Sequence, residues 1–198
     1  PSAREVLLAA DAADLALKAE AREPAGQLTI TAPVLFGHMY VAPAIVRFMK
    51  RYEKVRCSVR LYDRTVSLLE EGVDVGIRIS PLEDSSLVAQ TLGTIRRVVA
   101  ASPAYLAAHG TPRHPRELNG APCVRGRVDA PPQWLFRDGG KTIGVTPDNR
   151  LEFNHIAPAI EACAAGMGFG TFFSYQVMPH VAQGRLALVL EDFEPQPR

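Results

Sequence analysis

Five histidines, three cysteines and 21 carboxylates are the side chains of this 198-residue chain that could carry acid–base, nucleophilic or metal chemistry. His38, His109, His114, His155 and His180 do not pair with each other or with a cysteine at metal-ligand spacing. His109 and His114, five apart around Pro112, come nearest to a ligand pair, and a loop position accounts for both. Cys57, Cys123 and Cys163 are an odd number, widely spaced and without a C-x-x-C, as expected of reduced and mostly buried thiols; redox sensing is the alternative. No phosphate-binding G-x-x-x-x-G-K-[ST] and no nucleophile elbow G-x-S-x-G occurs. Gly166-Met167-Gly168-Phe169-Gly170 has the letters of a dinucleotide fingerprint but not its context. A helical pattern precedes it and a strand pattern follows, the reverse of the order that aims a helix N-terminus at a pyrophosphate. It reads as a helix stop with close packing. The carboxylates scatter along predicted helices beside Arg or Lys, where a solvated face explains them. The residues therefore point to no catalytic group, metal site or cofactor, and an enzyme is the weakest reading.

The elements that must position any site follow from apolar spacing. Residues 1–22 predict a helix with Leu8, Ala12, Leu15 and Ala19 spaced 4, 3, 4. That is a two-turn heptad seam, either packed on its own domain or the tail of a longer dimerising helix. Pro24 and Gly26 end it. Leu28–Thr31 predicts a strand, Ala32–Gly37 a loop, and Val41, Ile45, Phe48 and Tyr52 share one face of a following helix. Val55, Cys57, Val59 and Leu61 alternate as a strand, 63–72 predicts a short helix stopped by Gly72, and Val73, Val75, Ile77 and Ile79 alternate again. This β-α-β-α-β order predicts a parallel sheet. Strands are further expected over 87–92 and 95–101.

Between Ser102 and Gln133 six prolines break the chain into short pieces: Pro103, Pro112, Pro115, Pro122, Pro131 and Pro132. Asp138-Gly139-Gly140-Lys141 predicts a hairpin turn between 133–137 and 142–145. Strands at 151–154, 169–173 and 185–190 alternate with helices at 156–165 and 176–183, closed by Gly166 and Gly184. The pattern is two α/β lobes with a joint near Ala101-Ser102. In such sheets ligands sit where loops leave the carboxyl ends of strands, here Ala32–Gly37 and Asp63-Arg64-Thr65. The first loop is apolar and opens a helix N-terminus, which favours an anion; Leu35 and Phe36 serve equally as core.

Composition narrows the partners. Apolar residues make up 47% and charged residues 22%, with 22 Lys+Arg against 21 Asp+Glu, which excludes a disordered tail or a disulfide miniprotein. A net charge of +1 gives no sign of the basic face with which a domain grips nucleic acid. No apolar run is long enough to span a membrane, and no signal peptide opens the chain. Pro1 in place of Met points to a fragment or a processed chain.

An ordered set of short motifs then becomes recognisable. Leu28-Thr29-Ile30-Thr31-Ala32-Pro33 is followed by Ala42-Pro43 with Phe48 and Tyr52, and by Glu70-Glu71-Gly72-Val73-Asp74-Val75-Gly76-Ile77-Arg78. Asp84-Ser85-Ser86-Leu87-Val88-Ala89, Ala101-Ser102-Pro103-Ala104-Tyr105-Leu106, Gly166-Met167-Gly168 and Gly184-Arg185-Leu186 continue it. The set, spanning essentially all of 1–198, resembles the effector-binding domain of LysR-type transcriptional regulators. The resemblance implies an α/β fold of two Rossmann-like lobes, periplasmic-binding-protein-like (type 2), with a ligand cleft between lobes. Residues 1–26 correspond to the end of a linker helix, 27–101 to lobe I, 102–189 to lobe II, and 190–198 to a return segment toward lobe I that stops short of the family's full domain. Effector-binding positions carried over are Pro33, Val34, Leu35, Phe36, Asp63 and Arg64 from the first lobe. The second lobe contributes Val124, Arg125, Gly126, Asn154, His155 and Ile156, with Ser102 at the joint. Many relatives place Ser or Thr near Pro33 to hold a carboxylate; Pro33 has neither hydroxyl nor N–H, so an anion would need Arg64, Arg125 or the following N–H groups. Arg78 serves equally as a structural residue pairing with Asp74 or a neighbouring loop. The resemblance further implies a small anionic or aromatic effector, a cytoplasmic homodimer or tetramer formed through 42–52 and 55–61, and promoter DNA bound only by a winged helix-turn-helix outside this chain. A stand-alone periplasmic-type solute-binding protein of the same fold is the alternative.

Overall fold

A computed structural model of the chain describes residues 23–64, 66–79, 87–126 and 132–197. The helix expected over 1–22 lies outside the described residues. The chain divides into two compact units between Ile77 and Arg78.

The first unit is built on β1 (Gly26–Ala32), whose last four residues are buried. It is flanked by β2 (Val55–Leu61) and β3 (Val75–Gly76) in the order β2-β1-β3, all parallel. The crossover from β1 to β2 is one continuous helical run: α1 (Val34–Phe36), a π turn at Gly37–Val41, and α2 (Ala42–Arg51). Pro43 has no N–H to give an i−4 carbonyl, and the widened turn stands just before it, where Ala42 N–H bonds Gly37 O instead. Ile30, Ala32 and Val41 form the core, joined by Phe36, Ile45, Val59, Leu61 and Ile77. Beyond β2 the helix expected over 63–72 is absent among the described residues. Turns occupy 68–72, and only Val75–Gly76 of the expected third strand pairs with β1. Asp74 takes over the edge of β1, its carboxylate accepting Thr29 N–H at 2.7 Å while its own N–H donates to Thr29 O at 3.0 Å.

The second unit holds a five-stranded sheet in the order β10-β4-β9-β5-β8. Its members are β4 (Arg97–Ala101), β5 (Pro122–Arg125), β8 (Asp148–Glu152), β9 (Phe169–Phe173) and β10 (Ala187–Val189). β4 runs antiparallel to both its neighbours, whereas β5 is parallel to β8 and β9. The helices α3 (Pro103–His109), α4 (Ile156–Ala164) and α5 (Ser174–Ala182) connect these strands. β6 (Trp134–Asp138) and β7 (Lys141–Val145) form the expected hairpin around Gly139-Gly140. Val99, Ala101, Tyr105, Leu118, Trp134, Phe136 and Phe169 are among the residues of one buried cluster.

Two expectations shift. Residues 88–96 form no strand, and Val88 and Leu92 are exposed, because this apolar run meets no pairing edge among the described residues. Arg97–Ala101, grouped by the sequence with the first lobe, is the strand between β10 and β9 in the second unit, where Val98 to Ala101 are buried. Ala101 ends β4, and Ser102 is the N-cap of α3. The last described segment turns at Leu190 (φ 60°) into a short 3-10 helix, Glu191–Phe193. Arg96 binds Glu194 through Nε at 2.7 Å and Glu191 through a terminal nitrogen at 2.8 Å, fastening that segment to the root of β4.

Candidate functional site

In the first unit the candidate residues gather at the carboxyl ends of β1 and β2. Pro33 leaves β1 in extended geometry (φ −57°, ψ 144°) and has no side-chain oxygen with which to cap the helix it begins. Asp63, just past the end of β2, supplies the cap in its place. Its carboxylate accepts the Val34 N–H at 3.0 Å across 29 residues of sequence. The parallel pairing makes this meeting possible, since Ala32 and Leu61 are register partners and Tyr62 N–H donates to Ala32 O at 2.9 Å. Val34, Leu35 and Phe36 are half-buried, and the Phe36 ring lies 5.1 Å from that of Tyr40. Arg64 is exposed; it lies over the Tyr62 ring at 4.9 Å and pairs with Glu71 at 3.3 Å. The helix N-terminus offered to an anion by the sequence is thus already facing a carboxylate of this chain, and so is Arg64.

In the second unit Val124, Arg125 and Gly126 close β5, and Asn154, His155 and Ile156 lead from β8 into α4. Phe153 N–H donates to Arg125 O at 2.9 Å and ties the two strand ends together. Gly126 is buried against the start of α4, where a Cβ would lie 2.7 Å from the Ile156 Cα. The glycine is what lets β5 and α4 approach. Arg125 is largely buried, with 12% of its side chain exposed, and stands 3.8 Å from the carboxylate of Glu152, its register partner on β8. Glu152 in turn accepts from the Asn149 amide. Asn154 and His155 are exposed. Ser102 lies apart from this group in function. It is buried at the N-cap of α3, and its hydroxyl accepts Tyr105 N–H at 3.2 Å, which gives it a structural task.

Glu71 and Glu152 were not singled out by the sequence as partners of the candidate arginines. Glu152 could not have been, because only strand register places it opposite Arg125. Among the described residues no group of three or more His, Cys, Asp or Glu side chains could hold a metal ion.

Residues 21–198 match the family model described as the LysR substrate binding domain. The chain belongs to that family. Among its relatives, the probable HTH-type transcriptional regulator LtrA of Klebsiella pneumoniae is 32% identical over 170 residues, covering 85% of this chain and 55% of that protein. The HTH-type transcriptional regulator DmlR of Escherichia coli is 33% identical over 174 residues, covering 86% and 56%. CrgA, a LysR-type transcriptional regulator from Neisseria meningitidis, superimposes with a TM-score of 0.79 at 26% identity, over 98% of this chain and 67% of that one. The LysR substrate-binding domain described above thus has the expected α/β, periplasmic-binding-protein-like fold, and it spans a little over half the length of the curated relatives it matches.

Within this LysR domain the cysteines are placed for packing. Burial pushes the Cys123 thiol up to about 11 and the Cys163 thiol up to about 12, away from the range in which a thiolate forms near neutrality. Cys163 donates to the carbonyl oxygens of Ala100 (3.3 Å) and Gly168 (3.4 Å), bridging β4 to the approach of β9. No described helix of the LysR domain is long and apolar enough to cross a membrane.

Proposed function

We propose that this chain is the effector-sensing part of a LysR-type DNA-binding transcriptional regulator. The observation that carries the reading is the family match over residues 21–198. The helix-turn-helix regulators among the relatives favour it over a stand-alone solute-binding protein. In this reading the positions that meet a small metabolite are Pro33, Val34, Leu35, Phe36, Asp63, Arg64, Val124, Arg125, Gly126, Asn154, His155 and Ile156. Ser102 acts through the fold, as the cap of α3. Binding shifts the population of two conformations for which the metabolite has different affinity, and the shift alters how a homodimer or tetramer presents its DNA-reading segments. Promoter DNA is contacted by a winged helix-turn-helix outside this chain, in the cytoplasm, and the output is transcription rather than turnover of the metabolite.

A thermal-shift screen of small metabolites against the purified chain tests this. Saturable stabilisation by one chemical class, weakened at least about tenfold (about 1.4 kcal/mol) by Arg125→Ala, is the expected result. A broad screen that raises no melting temperature, or a hit whose affinity ignores Arg125, Asp63 and Gly126 alike, refutes the site.

A further inference from the structure

We propose that residues 191–194 form a latched strap, hinged at Leu190, which releases as a piece while the five-stranded sheet of the second unit stays intact. The inference stands on that unit alone and does not depend on the effector-sensing reading. It starts from the backbone. Among the described residues Leu190 is the one non-glycine residue with positive φ, at φ 60° and ψ 32°. A leucine side chain crowds the backbone in that region, so the conformation persists only where the surroundings impose it. A less strained course was open to the chain. β10 pairs antiparallel with β4 as far as Val189 opposite Val99, and the same register carried on would set Leu190 opposite Val98 and Glu191 opposite Arg97. The chain turns away instead, into the 3-10 helix Glu191–Phe193.

Two attachments hold it off the straight course. Arg96 reaches it from the root of β4. Its Nε donates to Glu194 at 2.7 Å, and one terminal nitrogen donates to Glu194 at 2.6 Å and to Glu191 at 2.8 Å. Arg96 is itself anchored, since its carbonyl oxygen accepts the Ser174 N–H at 2.9 Å where α5 begins. Phe193 is the second attachment. Its half-buried ring packs against the buried cluster that includes Trp134 and Phe136, and meets the His114 ring edge to face at 5.2 Å.

Docking and release are closely balanced. Ion pairs open to water contribute little, and the Arg96 side chain is 45% exposed. The helix is a single turn, with Phe193 N–H bonded to Leu190 O at 3.0 Å and Glu194 N–H to Glu191 O at 3.3 Å. Pro195 and Pro197 follow, and neither has an N–H with which to extend the bonding. The left-handed Leu190 opposes these attachments, and release returns it to extended backbone. A segment with few buried contacts opens at less cost than the whole unit. Opening here redirects the chain beyond β10 and uncovers the cluster beneath Phe193. Anything that favours one of the two states shifts the population between them.

The test is amide hydrogen exchange followed by NMR on the full 198-residue chain, in wild type, Arg96→Gln and Glu194→Ala. The Phe193 and Glu194 amides report the strap, and those of β4 and β9 report the sheet. Exchange at Phe193 and Glu194 is expected to be at least about tenfold faster in both variants, with β4 and β9 protected as in wild type and the Leu190 carbon shifts moved toward extended values. Should Arg96→Gln not fold, Glu194→Ala, a change on the strap itself, carries the test. An unchanged rate at both reporters in either folded variant overturns the latch. Acceleration that spreads through β4 and β9 also overturns it, because the segment then opens only with the unit. Wild-type reporters that exchange as fast as an unstructured peptide overturn the docked state itself.

Discussion

Gly168→Ala tests whether the glycine run at 166–170 is a packing device. Gly168 has φ +131°, a conformation rarely open to an L side chain, and precedes β9 directly. A Cβ there would lie 3.2 Å from Cys123 N, 2.7 Å from the Pro122 carbonyl carbon, and closer still to the Pro122 oxygen. All three are backbone atoms of β5, which pairs with β9 through Cys123 and Phe169, so no side-chain rotation relieves the collision. Backbone strain of this kind costs about 1–3 kcal/mol. Forcing two paired strands apart adds a further ~1–3 kcal/mol on the scale of overpacked cores. The expected loss is therefore about 4 kcal/mol, or a melting temperature lower by roughly 8–16 °C for a chain of this size. Urea titration followed by the fluorescence of Trp134, buried in the same unit, reads the change directly. Gly166→Ala is the internal control. Its φ is also positive (88°), but among the described residues a Cβ would meet only the Ser102 hydroxyl oxygen, at 3.6 Å, so strain acts without a collision. Equal losses at both positions, or a loss below about 1 kcal/mol at Gly168, would refute close strand approach as the reason for the glycine.

Four further outcomes follow from the same geometry. Asp63→Ala should cost about 1 kcal/mol in chemical denaturation, the usual worth of a lost helix cap, while Asp63→Asn stays near wild type. In native protein near neutral pH a chromogenic disulfide should label half-buried Cys57 alone, with Cys123 and Cys163 reacting only as fast as the chain opens. Burial raises the Cys163 thiol from 9.0 to about 12, so its protonated form is favoured in the fold. The stability this thiol lends is complete below pH 9 and is lost as pH climbs toward 12; Cys163→Ala should flatten that decline by one proton, about 1.4 kcal/mol per pH unit. Hydrogen bonding from Arg185 holds the Glu161 carboxyl below its ordinary range, so its contribution is present above that range and lost as pH falls. Glu161→Gln should make acid unfolding less steep at low salt, and added salt should shrink the difference, since the pair is exposed.

The legible parts of the fold were those whose pattern and pairing agree. Strand 55–61 alternates cleanly and is bounded by charged residues, and 169–173 lies between glycine and a helix start; both appear where the sequence placed them. The hairpin around Gly139-Gly140 was equally plain. Apolar content without a partner misled the reading elsewhere. Leu87, Val88 and Leu92 look like strand residues, but a strand needs an edge to bond to, and sequence says nothing of which edges are open. For the same reason the pairing of β4 could not be read from its own residues. Its hydrogen-bonding partners, β9 and β10, lie some seventy to ninety residues further along the chain, and strand membership is decided by those bonds rather than by nearness in sequence.

The candidate positions were legible as places and not as charges. Asp63 follows from its location at a strand end and Arg125 from the family resemblance alone, yet what each faces depends on register. One strand pairing brings Asp63 to Val34, and another sets Glu152 opposite Arg125. The overall charge of +1 could not have supplied this, because balance in the sum is no guide to balance at a point. The first unit shows as much: α2 and β2 carry Arg47, Lys50, Arg51, Arg56 and Arg60, all exposed, within the same near-neutral total. Neutralisation at Val34, Arg64 and Arg125 is therefore local. Each carboxylate is delivered by a specific turn or ladder, and a substitution that keeps the net charge but moves one of those carboxylates would unbalance one strand end and leave the other as it was. Exchanging Glu152 and Asn149 does this on β8 without altering composition, and should lower the urea midpoint by removing the carboxylate opposite Arg125 while Asp63 stays on its helix; an unchanged midpoint refutes a contribution of that pair.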